Sequence, residues 1–277
     1  MIRKAMKGNV SLIAGSIMVS ITFALLILSF IWTPYDPLAV NADDSFAGIS
    51  MRHILGADKI GRDILSQIIV GSRVTLFVAA LAVTIAMTLG VSAGIIIAIA
   101  SRKYQSPMIY AVNIALAFPA ALLAIILAAI YGASTITAVA AIGLATAAAV
   151  AQVTRRTAHG ILASDYVLAA HASGASTWRI IRKHVMPNLR ASLLIQASAV
   201  VSVSVLAESS LSYLGLGTPP PAPSWGRMLA GSQQYLFVNP LLAIWPGIAI
   251  VIVVLGFNLV GDGVREVFDP TLRRIDS

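Results

Sequence analysis

The chain has 277 residues, of which 58% are hydrophobic and 11% charged, with a mean hydropathy of +0.88. A water-soluble domain carries roughly one quarter charged residues, so water is not the main solvent of this protein. It has no cysteine, which excludes disulfides, thiolate metal sites and cysteine nucleophiles together. The formal net charge of +8 comes from basic residues scattered between apolar runs, not from the dense basic surface that nucleic acid requires.

The first apolar run, Val10 to Trp32, follows Arg3, Lys4 and Lys7. It is longer than the roughly 7 to 15 residues of a signal-peptide core, and no small-x-small site precedes Thr33 and Pro34, so it predicts a retained first membrane helix. Further runs at Val74 to Ala100, Ile109 to Tyr131, Ser134 to Gln152, Ala191 to Leu211 and Leu241 to Val260 bring the spans to six. In lipid each must be helical, because a helix satisfies its own backbone groups. The expected class is an all-α, polytopic membrane protein. The fourth run is short and alanine-rich, the weakest of the six. Gly90, Ser92, Ala93 and Gly94 in the second run predict close helix packing, and Pro119 predicts a kink in the third.

With the N-terminus in the cytoplasm, that side receives Arg3, Lys4, Lys7, Arg102, Lys103, Arg155, Arg156, Arg179, Arg182, Lys183, Arg190, Arg265, Arg273 and Arg274. Only Arg52, Lys59, Arg62, Arg73 and Arg227 stay outside, so both termini are expected to be cytoplasmic in a bacterial inner membrane. The expected order is a cytoplasmic N-terminus (1–9), a first helix (10–32), an extracytoplasmic connector (33–73), a core of spans (74–261) with a cytoplasmic loop (153–190), and a cytoplasmic tail (262–277). The spans hold almost no charge, which argues against an ion-coupled carrier needing buried acids near mid-membrane. Glu208 is expected as an interfacial acid bonded to Ser209 and Ser210.

The cytoplasmic loop is too patterned for a passive link. Ser164 is placed to cap a short helix from Asp165, Gly174 to end it, and Ser176 to cap a second helix carrying Trp178, Ile181 and Val185 as far as Pro187. Tyr166, Ala169, Ala170 and Trp178 would then form an exposed apolar patch unless a partner covers it. The run Leu168-Ala169-Ala170-His171-Ala172-Ser173-Gly174, with Pro187 following, resembles the EAA loop of permeases from binding-protein-dependent ABC importers. In that family the loop is a coupling helix that inserts into a cleft of the ATPase subunit, which assigns coupling to Ala169, Ala170, Gly174, Trp178 and Pro187. Leu168 stands where the family usually has glutamate, so any salt bridge from that position is absent here.

Two outer segments narrow the resemblance. His53 to Ser66 contains Gly56, Asp58, Gly61, Arg62 and Asp63, and is similar to the H-x-L-G-T-D-x-x-G-R-D-x-x-S pattern of C-type permeases in dipeptide, oligopeptide and nickel importers. Ala57 replaces the usual threonine. Ile64, Leu65, Ile68 and Ile69 make a stripe, expected as a helix against the bundle or the membrane surface. His53, Asp58 and Asp63 could be taken for metal ligands, but a capped, salt-bridged connector is the favoured reading. Glu208 to Gly217, including Gly215, runs on through Pro219, Pro220, Pro221 and Pro223 to Trp225. It looks like the S-S-L-S-F-L-G-L-G, proline-rich, S-W-G passage of the same permeases, where a rigid loop would rim the pathway, dock a binding protein or simply cap the bundle. Phe257 to Asp262 and Asp269 to Arg273 match the family's C-terminal pattern.

The resemblance implies the type I ABC importer permease fold and a non-catalytic subunit. It implies a B-type permease partner in a heterodimer, two cytoplasmic ATPases that bind ATP and magnesium, and an extracytoplasmic solute-binding protein. This chain would bind no cofactor or metal, and it contains no G-x-x-x-x-G-K-[ST] phosphate loop. Rival readings are a secondary transporter and a membrane-embedded hydrolase, and neither G-x-S-x-G nor H-E-x-x-H occurs. Peptide is the expected cargo, with nickel complexes, opines, haem or glycans as alternatives. The third and fifth spans, with Ser198, Ser202 and Ser204, are the expected pathway lining.

Overall fold

A computed structural model describes residues 9–268. The basic residues Arg3, Lys4, Lys7, Arg273 and Arg274 and the Asp269-to-Arg273 segment lie outside the described residues. The helices in chain order are α1 (Val10–Ile31), α2 (Ile64–Ile99), α3 (Arg102–Ala117), α4 (Ala120–Tyr131), α5 (Thr135–Leu162), α6 (Asp165–Ala172), α7 (Thr177–Tyr213), α8 (Trp225–Ser232) and α9 (Leu241–Phe268). Helices α1, α2, α5, α7 and α9 are each long and apolar enough to cross a bilayer, and α3 with α4 makes a sixth, broken span.

The hydropathic runs underestimate the helices. Helix α2 begins at Ile64, ten residues before the expected start, and α5 continues to Leu162. Hydropathy reports the lipid-exposed stretch, whereas the backbone stays helical beyond it wherever neighbouring helices cover it. The Ile64 stripe is therefore the first two turns of a span and not a separate surface helix. Ile64, Ile68 and Ile69 are buried there.

The third span is broken, not kinked. Phe118 is extended, with φ −81° and ψ 118°, the conformation that a following proline imposes. The two halves meet at 82°. Pro187 does the opposite of what the sequence suggests. It has no N–H and its ring crowds the carbonyl four residues back, yet a single π turn over Ile181–Val185 widens the backbone just before it, so α7 runs through without ending.

Packing follows the small residues. A Cβ on Gly90 would meet the Ala147 carbonyl at 2.6 Å, and one on Gly94 would meet Thr154 Cβ at 2.6 Å, so α2 and α5 touch backbone to backbone. Ser92 is exposed and Ala93 half-buried, leaving the two glycines as the seam. Helix α1 lies on α9 through Gly15, Gly256 and Gly263, where added Cβ atoms would fall 2.6–2.9 Å from the facing helix. Asn9 caps α1 and donates to the Gly263 carbonyl at 3.2 Å.

Candidate functional site

Three places carry functional geometry: a clasp at the connector end, a hairpin at the opposite end, and a cavity at the broken span. The clasp starts in the connector. Asp63 caps α2, accepting from Ser66 N at 2.8 Å and Ser66 Oγ at 2.7 Å, while its other oxygen meets His53 Nδ1 at 2.9 Å. His53 Nε2 lies 3.5 Å from Asp44, which also pairs with Arg52 at 3.0 Å. Asp58 accepts from Arg62 Nε at 2.7 Å and from the Ile60 and Arg62 amides. His53, Asp58 and Asp63 are thus engaged as caps and ion pairs. Gly61, at φ +79°, has Asn41 O where a Cβ would stand, so this turn admits only glycine. Gly56 also turns with positive φ.

The second outer segment closes onto the first. Trp225 is 1% exposed and donates through Nε1 to the Ile68 carbonyl at 3.0 Å. Its ring lies 3.1 Å from where a Cβ on Gly71 would be. Gly215 turns the chain out of α7 with φ +79°, and Gly217 and Gly226 press on Ser212 and Ser209. Glu208 corrects the expectation of an interfacial acid bonded to Ser209 and Ser210. It is fully buried, and it accepts from Ser212 Oγ at 2.7 Å and Thr75 Oγ1 at 3.2 Å. Ser212 Oγ in turn accepts from Thr218 N at 3.1 Å, and Arg227 donates to the Thr218 carbonyl at 3.2 Å. The acid thus ties α7, α2 and the proline-rich loop together, a link the sequence could not signal because its partners are distant along the chain. A cavity of about 410 Å³ lies between connector and loop, bordered by Lys59, Arg62, Gln67, Pro221, Arg227 and Tyr235.

The hairpin at the other end is open where the clasp is closed. Val167, Ile180, Val185 and Leu189 are buried with Ala98 and Ala158 and fix its base to α2 and α5. Asn188 donates to Tyr166 OH at 3.3 Å. The tip faces outward: Trp178 is 70% exposed and Leu168 55%, Ala169 and Gly174 are exposed, and Ala170 is half-buried. Gly174 turns at φ +82° with nothing within 4 Å of an added Cβ, so its requirement is conformational. Ser164 sits at the start of α6 but its hydroxyl donates backward to Ile161 O at 2.6 Å and makes no side-chain cap. Ser176 caps α7 as expected, accepting from Arg179 N at 3.4 Å.

At the break, a cavity of about 330 Å³ is lined by Phe118, Pro119, Thr146, Gln196, Ala199 and Val203. The expected spans meet there, but the expected serines do not. Ser198, Ser202 and Ser204 are buried, with Ser198 Oγ on Ile195 O and Ser202 Oγ on Val254 O of α9. Serines on a helix satisfy themselves on backbone carbonyls and so suit a packed interface. Gln196 and Thr146 are the polar groups the sequence reading missed.

These elements define a polytopic membrane protein with a closed clasp at one end, an exposed hairpin at the other, and a break in the span between. The description "Binding-protein-dependent transport system inner membrane component" matches residues 90–274. The chain is 34% identical over 98% of its length to the dipeptide transport system permease protein DppC of Alkalihalophilus pseudofirmus, covering 89% of that protein. It is 34% identical over 97% of its length to DppC of Escherichia coli, covering 91%. It is 32% identical over 98% to the glutathione transport system permease protein GsiD of Pectobacterium atrosepticum, covering 90%. Among solved structures, the inward-facing MetNI methionine ABC transporter has a chain that superposes with a TM-score of 0.62 at 20% identity, over 73% of this chain and 97% of that one. That likeness shows the type I permease fold. The chain belongs to the inner-membrane components of binding-protein-dependent transport systems, as a permease subunit of the C type.

Proposed function

We propose that this chain is half of the membrane channel of an ATP-driven peptide importer. It pairs with a B-type permease, receives solute from an extracytoplasmic binding protein at its outer end, and takes its driving force from two ATPases that bind ATP and magnesium. The chain itself hydrolyses nothing and holds no nucleotide. The observation that carries this reading is the hairpin. Trp178 is held out in solvent on a base of fully packed residues, an aromatic knob that costs free energy to expose unless a partner covers it. Its small residues, Ala169 and Ala170, let it seat in a cleft. Movement of the hairpin reaches the bundle through α7, which is continuous from the hairpin to the clasp.

The distribution of basic residues in the sequence supports cytoplasmic termini, and with that orientation the hairpin lies on the ATP side. Dipeptide and glutathione permeases among the relatives support a peptide or peptide-like solute, and nickel complexes or opines are the alternative cargo. Selection falls mainly to the binding protein, because the cavity at the break offers few polar groups. The test is co-purification of the tagged chain with its partner subunits in detergent, native and with Gly174→Asp. An aspartate there is strained at positive φ and charged inside an apolar contact, so the variant is expected to lose the ATPases and ATP-driven dipeptide uptake in liposomes together. Uptake by the chain alone without ATP would overturn the reading.

A further inference from the structure

Between α1 and α2 lies an open groove of about 770 Å³, walled by Phe23, Phe30, Phe77, Val83 and Phe257 with Arg73 among them. We propose that this groove is a binding site for one phospholipid of the leaflet at the connector end, its phosphate on Arg73 and one acyl chain along the aromatic wall. Three observations carry it.

The first is charge. Arg73 Nε donates to Ser29 Oγ at 2.9 Å and its guanidinium stacks 4.4 Å from the Phe30 ring centre. Among the described residues no carboxylate lies within ion-pair distance of it. A guanidinium at the mouth of an apolar groove calls for an anion, and its planar fork matches a phosphate. The second is depth. Ser29 and Phe30 belong to the last turn of α1, next to the extended residue Trp32 that ends it, so Arg73 stands at the level where the first span leaves the membrane and headgroup phosphates lie. The third is length. From Arg73 to Val83 α2 rises about 15 Å at roughly 1.5 Å per residue, which is half of the roughly 30 Å hydrocarbon core. A groove one leaflet deep fits an acyl chain, whereas a partner's membrane helix would need the full thickness.

The test uses the purified full-length chain within its complex. Native mass spectrometry after delipidation, with added phosphatidylglycerol as probe, is expected to show one retained phospholipid. Arg73→Gln is expected to weaken retention roughly tenfold, as for loss of one charge-assisted contact, while Arg73→Lys keeps most of it. Ala80→Trp, on the exposed groove wall, is expected to displace the acyl chain with Arg73 intact. Equal retention in native, Arg73→Gln and Ala80→Trp proteins would overturn the proposal. So would a photo-crosslinker replacing Phe77 that labels a polypeptide instead of lipid. Neither outcome bears on ATPase co-purification, so the importer reading stands or falls separately.

Discussion

The clasp and the hairpin are both built from sequence motifs, yet they use their residues in opposite ways. In the clasp the polar side chains that join its parts are turned inward: Asp63, Glu208 and Trp225 are buried and hydrogen-bonded. In the hairpin the motif residues Leu168, Ala169, Gly174 and Trp178 are turned outward, on a base sealed by Val167, Ile180 and Leu189. The clasp is therefore complete within this chain and the hairpin is not. A motif that closes on itself reports stability, while one that is held open by packed neighbours reports a partner.

Truncating one tryptophan from each region breaks or sharpens the comparison. Trp225→Ala removes a fully buried ring and its hydrogen bond to the Ile68 carbonyl, so it is expected to destabilise the chain by about 3–5 kcal/mol, seen as a large drop in unfolding temperature in detergent. Trp178→Ala is expected to leave unfolding within about 0.5 kcal/mol of native yet reduce ATPase retention on a tag column by roughly 30-fold or more, the effect of losing an aromatic anchor at an interface. If Trp178→Ala unfolds the chain, or Trp225→Ala does not, the distinction fails. An intermediate loss is expected for Glu208→Ala, which leaves the Thr75 and Ser212 hydroxyls without their shared acceptor and costs about 1–3 kcal/mol. Glu208→Gln keeps an acceptor in place and should recover part of that loss in the same unfolding measurement.

The sequence made the local half of this visible. Asp58 with Arg62 and Asp63 with Ser66 lie three or four residues apart, within reach of turn and cap chemistry, and the connector they form is the one expected from their spacing. The hairpin was legible in part for the same reason, since the Ser176 cap and the Gly174 corner are short-range features, whereas the expected Ser164 cap and the helix end at Pro187 did not form. What escaped was the closure: Trp225 on Ile68, Thr75 on Glu208 and Arg73 on Ser29 join residues whose separation along the chain carries no pattern. Glu208 looked interfacial because an acid in a span is costly without partners, and only the fold supplies Thr75. The serines of α7 misled in the reverse sense, their polarity read as a wet pathway when all three are buried and backbone carbonyls of α7 and α9 take up Ser198 and Ser202.

The smallest expected effect concerns the residue at which this chain departs from its family. Leu168 stands where the resemblance to the family pattern has glutamate, and it is more than half exposed. Leu168→Glu touches nothing buried, so the fold should be indifferent to it, within about 0.5 kcal/mol by thermal unfolding. Its effect on ATPase retention separates two ways of docking. A hairpin that seats by shape alone tolerates the glutamate and changes retention by less than about threefold, the worth of an exposed ion pair gained or missed. A hairpin that buries Leu168 in an apolar cleft would instead strand a charge there, with a loss approaching that of Trp178→Ala. The seating by Trp178 and the alanines argued above predicts the first result, and the second would move the anchor of the interface from α7 to α6.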